Sequence, residues 1–458
     1  MRRIHQFKYF TIMPSMTYFI QKRQNYLLEF LLIALAFFSL FVKIIPVVYF
    51  AAFTIILAII RCNLSENIVG LIVFYPVASG LVFNTLGIPM IGGLMKYVGF
   101  FLLLLLLLSG KIKINSIGNG LIPLVVLLLL FTLSVVTTSG GDFAGEKLSS
   151  TIIHGTMVFF AFAFMFSNPD RFDFSKMGMF FLVIAVFLVP MSIVTNGISG
   201  PSGITDFGFL RYQTQEDYVN SDNNESILVS YQGTGFLLLQ ALGFFLVDSK
   251  KNRLPLIILV FAIVFFAQLY VGSRQALVSI IIMAIVWALI VNRRTVSRSI
   301  GSNLKWFLAF VVVMIVSFLY LSILTADEGL LNSVAEEGYL EGGGRGAWLL
   351  SGMDQFMSRP LWGVGYGRFI IFGQYGSYPH NLFVELLCET GIVGFFIAMT
   401  LTIKSLVNVK KAVIPFITLF LAYFLRSMAS GSLAINIMVF SLLFASSSLF
   451  IAKKRIQI

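Results

Sequence analysis

Residues 100–110 read FFLLLLLLLSG. A strand of a transmembrane barrel alternates polar and apolar side chains, and this run does not. A backbone surrounded by lipid must satisfy its own amides and carbonyls, so a run of this kind is read as a helix. The same texture recurs within 160–166, 180–189, 254–270 and 306–324. Each of these lies in an apolar stretch of about the 17–25 residues that a bilayer core requires. Of the 458 residues, 58% are hydrophobic and 11% are charged, against about 25% charged in soluble domains. A soluble fold has no means of covering that much apolar surface. The chain is therefore expected to be an all-α polytopic membrane protein with about 12–14 transmembrane helices.

Working outward, the expected spans are 26–42, 44–60, 68–83, 89–109, 121–137, 150–167, 177–195, 232–248, 254–270, 276–291, 306–324, 381–403, 413–427 and 433–451. They divide the chain into a cytoplasmic segment (1–25), N-terminal transmembrane helices (26–195), a first long outer loop (196–231), central helices (232–324), a second long outer loop (325–380), and C-terminal helices with a short tail (381–458). The opening MRRIHQFKYFTIMPSMTYFIQKRQNY has a basic start. It has no clean apolar core followed by a small-residue cleavage site, so no cleavable signal peptide is expected. Cys62 and Cys388 fall on opposite sides of the membrane in this scheme, which leaves no disulfide framework and no cysteine metal site.

The formal charge of +12 invites a nucleic-acid partner, but its distribution argues otherwise. Arg2, Arg3, Lys22, Arg23, Lys250, Lys251, Arg253, Arg293, Arg294, Lys410, Lys411, Lys453, Lys454 and Arg455 all fall in inner segments. The outer segments hold Lys43, Lys147, Arg211, Arg274, Arg345, Arg359 and Arg368. That is the positive-inside bias, with both termini in the cytoplasm. The basic groups face anionic membrane lipids, and no nucleic-acid partner is expected.

Loops beyond about 12–15 residues are usually functional or disordered. The first long loop is polar, Gly-rich and acidic. The second carries Trp348, Leu349, Leu350, Met353, Phe356 and Met357 at helical spacing before Pro360, which predicts an amphipathic helix at the outer leaflet. Ionisable groups within or at the outer ends of spans are functional candidates by default. They are Lys96, His154, Arg274, His380, Glu385, Glu389 and Arg426, joined by Arg211 and Arg345 on the long loops. In this topology they cluster toward the outer face. Arginine's planar fork suits phosphate oxygens, although a single arginine at a membrane end also reads as snorkelling to headgroups. Arg274 in YVGSRQALVS and Arg345 in GGGRGAW each open a helix, where free amides add to an anion site. His380 reads either as a structural residue or as a group that exchanges protons near neutrality. Gly363, Gly365 and Gly367 read as turn residues, with a backbone phosphate nest as the alternative.

The order of residues in GGGRGAWLLSGMDQFMSRPLWGVGYGRF and YPHNLFVELLCETGIVGFFIAM resembles the signature of the O-antigen ligase and polymerase family. It is carried by Arg345, Trp348, Phe356, Pro360, Gly363, Gly365, His380, Asn381, Glu385, Glu389, Gly391 and Gly394. GSRQAL, with Arg274, is similar to that family's upstream Ser-Arg motif. The resemblance implies a GT-C-like membrane glycosyltransferase. Its donor is a glycan on undecaprenyl pyrophosphate, and its acceptor is a lipid-linked glycan or lipid A core. It implies a catalytic set of Arg274, Arg345 and His380. Trp348, Asn381, Glu385, Arg211, Lys96, His154 and Arg426 are added as substrate-binding candidates. No metal and no cofactor is expected. A chain-length regulator and a flippase are expected as neighbours in the bacterial cytoplasmic membrane.

In the implied chemistry the arginines hold charge that grows on the departing pyrophosphate, while His380 takes the acceptor's proton. No Asp-x-Asp motif for a nucleotide sugar stands in the outer loops, which fits a lipid-linked donor. Of the family's two activities, the polymerase is favoured by the high span count and the acidic first loop. A ligase acting on lipid A core or protein is the alternative. A transporter or flippase is disfavoured, because proton-coupled carriers place carboxylates near the midplane, and Glu29, Glu385 and Glu389 fall near span ends.

Overall fold

The computed structural model describes parts of 97–108 and of 172–182, together with 118–138, 142–167, 231–247, 254–271, 274–288, 345–371, 374–375, 378–408, 416–428 and 433–456, and the isolated residues 169, 185 and 312. The chain divides into two compact units, 1–68 and 69–458, and every described residue belongs to the second. The expected spans 26–42, 44–60 and 68–83 lie outside the described residues. So do 306–324 apart from Val312, the first long loop up to residue 230, and the candidates Lys96 and Arg211.

The described elements are α1 (Gly118–Thr137), α2 (Asp142–Ser167), α3 (Tyr231–Val247), α4 (Leu254–Val271), α5 (Arg274–Val286), α6 (Arg345–Ser358), a two-residue antiparallel pair β1 (Ile370–Ile371) and β2 (Gln374–Tyr375), α7 (Leu382–Asn408), α8 (Ile417–Ser427) and α9 (Leu433–Ile456). Each of the expected spans 121–137, 150–167, 232–248, 254–270, 276–291, 381–403, 413–427 and 433–451 overlies one of these helices. Three segments, Gly120–Thr137, Phe143–Ser167 and Leu382–Val407, are long and apolar enough to cross a bilayer, and α3, α4, α5, α8 and α9 contain shorter apolar helices. The chain is an all-α, multi-pass membrane protein.

Packing follows from which faces are apolar. On α1, Ile122, Val125, Val126, Leu129, Leu133 and Val136 are exposed. They recur at three- and four-residue spacing, a stripe suited to lipid. By contrast α3 is buried on every side from Thr234 to Val247, as expected of a helix that is apolar all round. It packs against α4, α5 and α8, while α9 packs against α1, α2, α7 and α8. Buried amides tie the inner helices: Gln240 Nε2 donates to the Tyr423 hydroxyl at 2.5 Å, and Gln268 Nε2 to the Gly235 carbonyl at 2.6 Å.

The expected amphipathic helix is α6, which lies on α7. Leu349, Leu350 and Met357 on it, and Leu361 and Trp362 beyond it, are exposed, the kind of edge that settles at a headgroup boundary.

The turn after α6 is built into α7. Gly391 interrupts that helix with φ +66°. In an uninterrupted helix the amides of Ile392 and Val393 would bond the carbonyls of Cys388 and Glu389. Here Ile392 donates to Pro360 O at 2.8 Å and Val393 to Leu361 O at 3.3 Å. The released carbonyls are taken by the Val364 amide, at 2.8 Å from Cys388 O, and by the Ser134 hydroxyl, at 3.4 Å from Glu389 O. A Cβ on Gly391 would strike the Leu361 and Trp362 backbone. Three main-chain groups are thus satisfied by the 360–364 turn and the fourth by Ser134 of α1, as a lipid environment demands.

Candidate functional site

Glu385 and Glu389 lie four apart on α7, one turn above the other, where like charges repel. Both are fully buried. What neutralises them is Lys147 on α2, whose Nζ lies 2.7 Å from Glu385 Oε1 and 2.5 Å from Glu389 Oε1. The Lys147 side chain is itself only 3% exposed. Glu385 Oε1 also accepts the Leu433 amide at 2.8 Å, which ties in the start of α9. Lys147 lies over the Tyr366 ring, 4.9 Å from its centroid. That ring stacks on Phe131 at 4.7 Å, and its hydroxyl meets the Thr151 hydroxyl at 2.5 Å. Burial pushes the Tyr366 phenol above its ordinary range, so it serves as a neutral hydrogen-bonding group. One ammonium therefore gathers α1, α2, α7, α9 and the 359–368 turn.

Sequence reasoning put Lys147 in an outer segment, ahead of a span starting near 150. It lies within α2, which begins at Asp142. The charge broke the apolar run in the sequence, and pairing lets the helix continue through it. A signal was present: two carboxylates one turn apart in an apolar helix require a cation. Glu385, expected to meet substrate, has Lys147 and Leu433 as its described side-chain partners.

The three glycines of the turn have φ of +71° (Gly363), +112° (Gly365) and +75° (Gly367), a backbone that favours glycine. Amides around them bond within the protein: Gly363 to Arg359 O, Val364 to Cys388 O, Tyr366 to Ser134 Oγ and Arg368 to Gly365 O. This favours the turn reading over a phosphate nest. A hollow of about 400 Å³ opens beside the turn, lined by Gln355, Arg359, Val364, Arg368 and Ile370.

His380 has φ +57°, the one positive φ outside glycine among the described residues. Such strain collects at functional sites. The imidazole lies between two aromatic rings, Trp348 from α6 at 5.1 Å and Tyr378 at 4.4 Å between centroids. Asn381 caps α7: its Oδ1 accepts the Phe383 and Val384 amides at 3.0 and 3.2 Å, the arrangement typical of an N-cap. Its Nδ2 donates to Met428 O at 3.2 Å, just past the end of α8. At that same end Gln275 Nε2 donates to the Leu425 carbonyl, and to Arg426 O at 3.1 Å.

These contacts bring together the start of α5, which Arg274 opens, the start of α7, which follows His380, and the end of α8, which carries Arg426. The first turn of α6, which Arg345 opens, reaches His380 through Trp348. The side chains of Arg274 and Arg345 lie outside the described residues. His154 is buried elsewhere, its Nδ1 3.4 Å from Ser150 Oγ and 3.3 Å from Ala434 O, where it bridges α2 and α9.

Fold and site together define a multi-pass membrane protein in which a loop, docked on a broken helix, presents a histidine where three helices end or begin. Residues 259–399 match the family model described as O-Antigen ligase. That match supports a glycosyltransferase of the O-antigen ligase and polymerase type. The matched stretch includes Arg274, Arg345, the turn, His380 and the break at Gly391, and it excludes Lys147 and Arg426. A comparison with curated proteins found no match.

Proposed function

We propose that this chain is a polysaccharide polymerase of the O-antigen, capsule or exopolysaccharide type, acting at the outer face of the bacterial cytoplasmic membrane. It transfers a glycan from undecaprenyl pyrophosphate to a hydroxyl of a lipid-linked repeat unit. The observation that carries this reading is the strained His380, held between Trp348 and Tyr378 where helix ends bearing arginines meet. In the transfer, the bond from sugar C1 to a pyrophosphate oxygen breaks, and a bond from C1 to the acceptor oxygen forms. The acceptor proton goes to His380, and undecaprenyl pyrophosphate leaves with the electron pair. Arg274 and Arg345 hold the charge that grows on it, a contribution that a positioned donor makes mainly in the transition state. The reaction as written needs no metal.

A second reading, transfer of the finished polymer to lipid A core, is favoured by two observations. The family model carries the ligase description. The hollow flanked by Arg359 and Arg368 suits an acceptor rich in anionic groups. A deletion strain separates the readings. Loss of a polymerase leaves single repeats attached at the cell surface, whereas loss of a ligase leaves full-length polymer on undecaprenyl pyrophosphate. Normal surface polymer and no accumulated lipid-linked glycan would reject both.

A further inference from the structure

We propose that Arg426 is a third anion ligand of the donor site, binding a phosphate of the undecaprenyl pyrophosphate. This rests on the glycosyltransferase reading above. Arg426 is in the last turn of α8 and is 8% exposed. Its Nε and Nη1 are buried and have no hydrogen-bond partner among the described residues. The guanidinium lies over the Phe236 ring of α3, 4.1 Å from the centroid, and Tyr378, the neighbour of His380, is close enough to interact with it electrostatically.

A buried cation is ordinarily paired, and no carboxylate pairs this one among the described residues. The buried carboxylates of α7 are committed to Lys147. The carbonyl end of α8 offers partial compensation, but Gln275 takes the carbonyls of Leu425 and Arg426, and Asn381 takes that of Met428. An aromatic face attracts a guanidinium and leaves its in-plane N–H groups unbonded. Those groups match the oxygens of a phosphate. They sit at the helix end that both the His380 segment and the Arg274 helix bond to. A guanidinium held in place with Nε and Nη1 unbonded among the described residues is a preformed anion ligand, with its ordering already complete before the donor arrives.

The sign of a stability change separates this from a structural role. The full chain in lipid nanodiscs is melted with and without undecaprenyl pyrophosphate, with inorganic pyrophosphate as a second probe. Arg426→Met keeps the apolar stem over Phe236 and removes the unpaired charge. It is expected to melt at or above the wild-type temperature without ligand, and to bind undecaprenyl pyrophosphate about tenfold or more weakly, the scale of one lost charge-assisted contact. Arg426→Lys is expected to fall between the two. A lower melting temperature for Arg426→Met with unchanged pyrophosphate affinity would overturn the inference and leave the glycosyltransferase reading standing. No stabilisation of the wild type by undecaprenyl pyrophosphate would overturn both.

Discussion

Replacing Lys147 by methionine preserves most of its volume and removes the cation that bridges two buried carboxylates. In the wild type Nζ bonds both, at 2.7 and 2.5 Å, and neither carboxylate reaches solvent. Removing one partner of a buried pair typically costs about 3–5 kcal/mol. A charge at a helix centre in lipid costs about 2.5–3.5 kcal/mol on insertion scales, so the upper end of the range applies with two carboxylates left. Glu389→Gln acts differently. It leaves one carboxylate for one ammonium, and a neutral amide still accepts from Lys147, so its cost should stay near the 0.5–1.5 kcal/mol typical of a single hydrogen bond, at about 1 kcal/mol. Combining Lys147→Met with Glu385→Gln and Glu389→Gln removes every charge, and should recover about 2 kcal/mol or more of the single-variant loss. The assay is equilibrium unfolding in mixed micelles titrated with a denaturing detergent, with polymer formation measured in parallel. If Lys147→Met were as stable as wild type, or the triple variant less stable than Lys147→Met, the cluster would not be what holds the turn and α7 together.

Further expectations concern the proposed chemistry and the break. His380→Ala should lower turnover about 10²–10⁴-fold while donor affinity stays near normal. Weaker donor binding with unchanged turnover would instead make His380 a phosphate ligand. Arg345→Lys keeps the charge and loses the bidentate fork, so kcat/KM should fall about tenfold or more; a silent substitution would remove Arg345 from the donor site. Gly391→Ala sets a Cβ against the Leu361 backbone at φ +66°, and should cost about 1–3 kcal/mol, read as release of the 359–364 turn to proteolysis in spheroplasts. Polymer formation that persists in EDTA would support the metal-free step, and loss reversed by a divalent ion would refute it.

The fold class was legible because a bilayer imposes a length and a texture on each span, and α1, α4 and α7 fall close to the expected spans 121–137, 254–270 and 381–403. The family signature was legible for a related reason. The 345–394 segment makes turn, cap and break within one stretch of chain, so its glycines, Pro360 and Asn381 stand at fixed spacings. Lys147 escaped because its meaning lies in partners on another helix, more than two hundred residues along at Glu385 and Glu389. Charge in an apolar run looks like the end of a span until its neutraliser is known. Arg426 was read as an outer-end cation, but that its Nε and Nη1 are unbonded among the described residues appears only once α3, α5 and α7 are packed around it. The break at Gly391 was hidden for a different reason: its glycine was visible, but the strand of chain that fills it was not.

That splice makes the 359–391 segment behave like a ruler. Pro360 and Leu361 hold α7 through their carbonyl oxygens, and the Leu361 side chain and its neighbour Trp362 point outward and are largely exposed. What matters at these positions is therefore the count of residues more than their identity. Exchanging Leu361 or Trp362 for another side chain leaves every one of those bonds available. Inserting or deleting a single residue between Arg359 and Val364 moves both carbonyls and the Val364 amide out of step with Ile392, Val393 and Cys388 at once. Drift in this protein should thus be free in lettering at Leu361 and Trp362 and rigid in spacing across the turn, and a library at those two positions should yield many working sequences where a turn of altered length yields none.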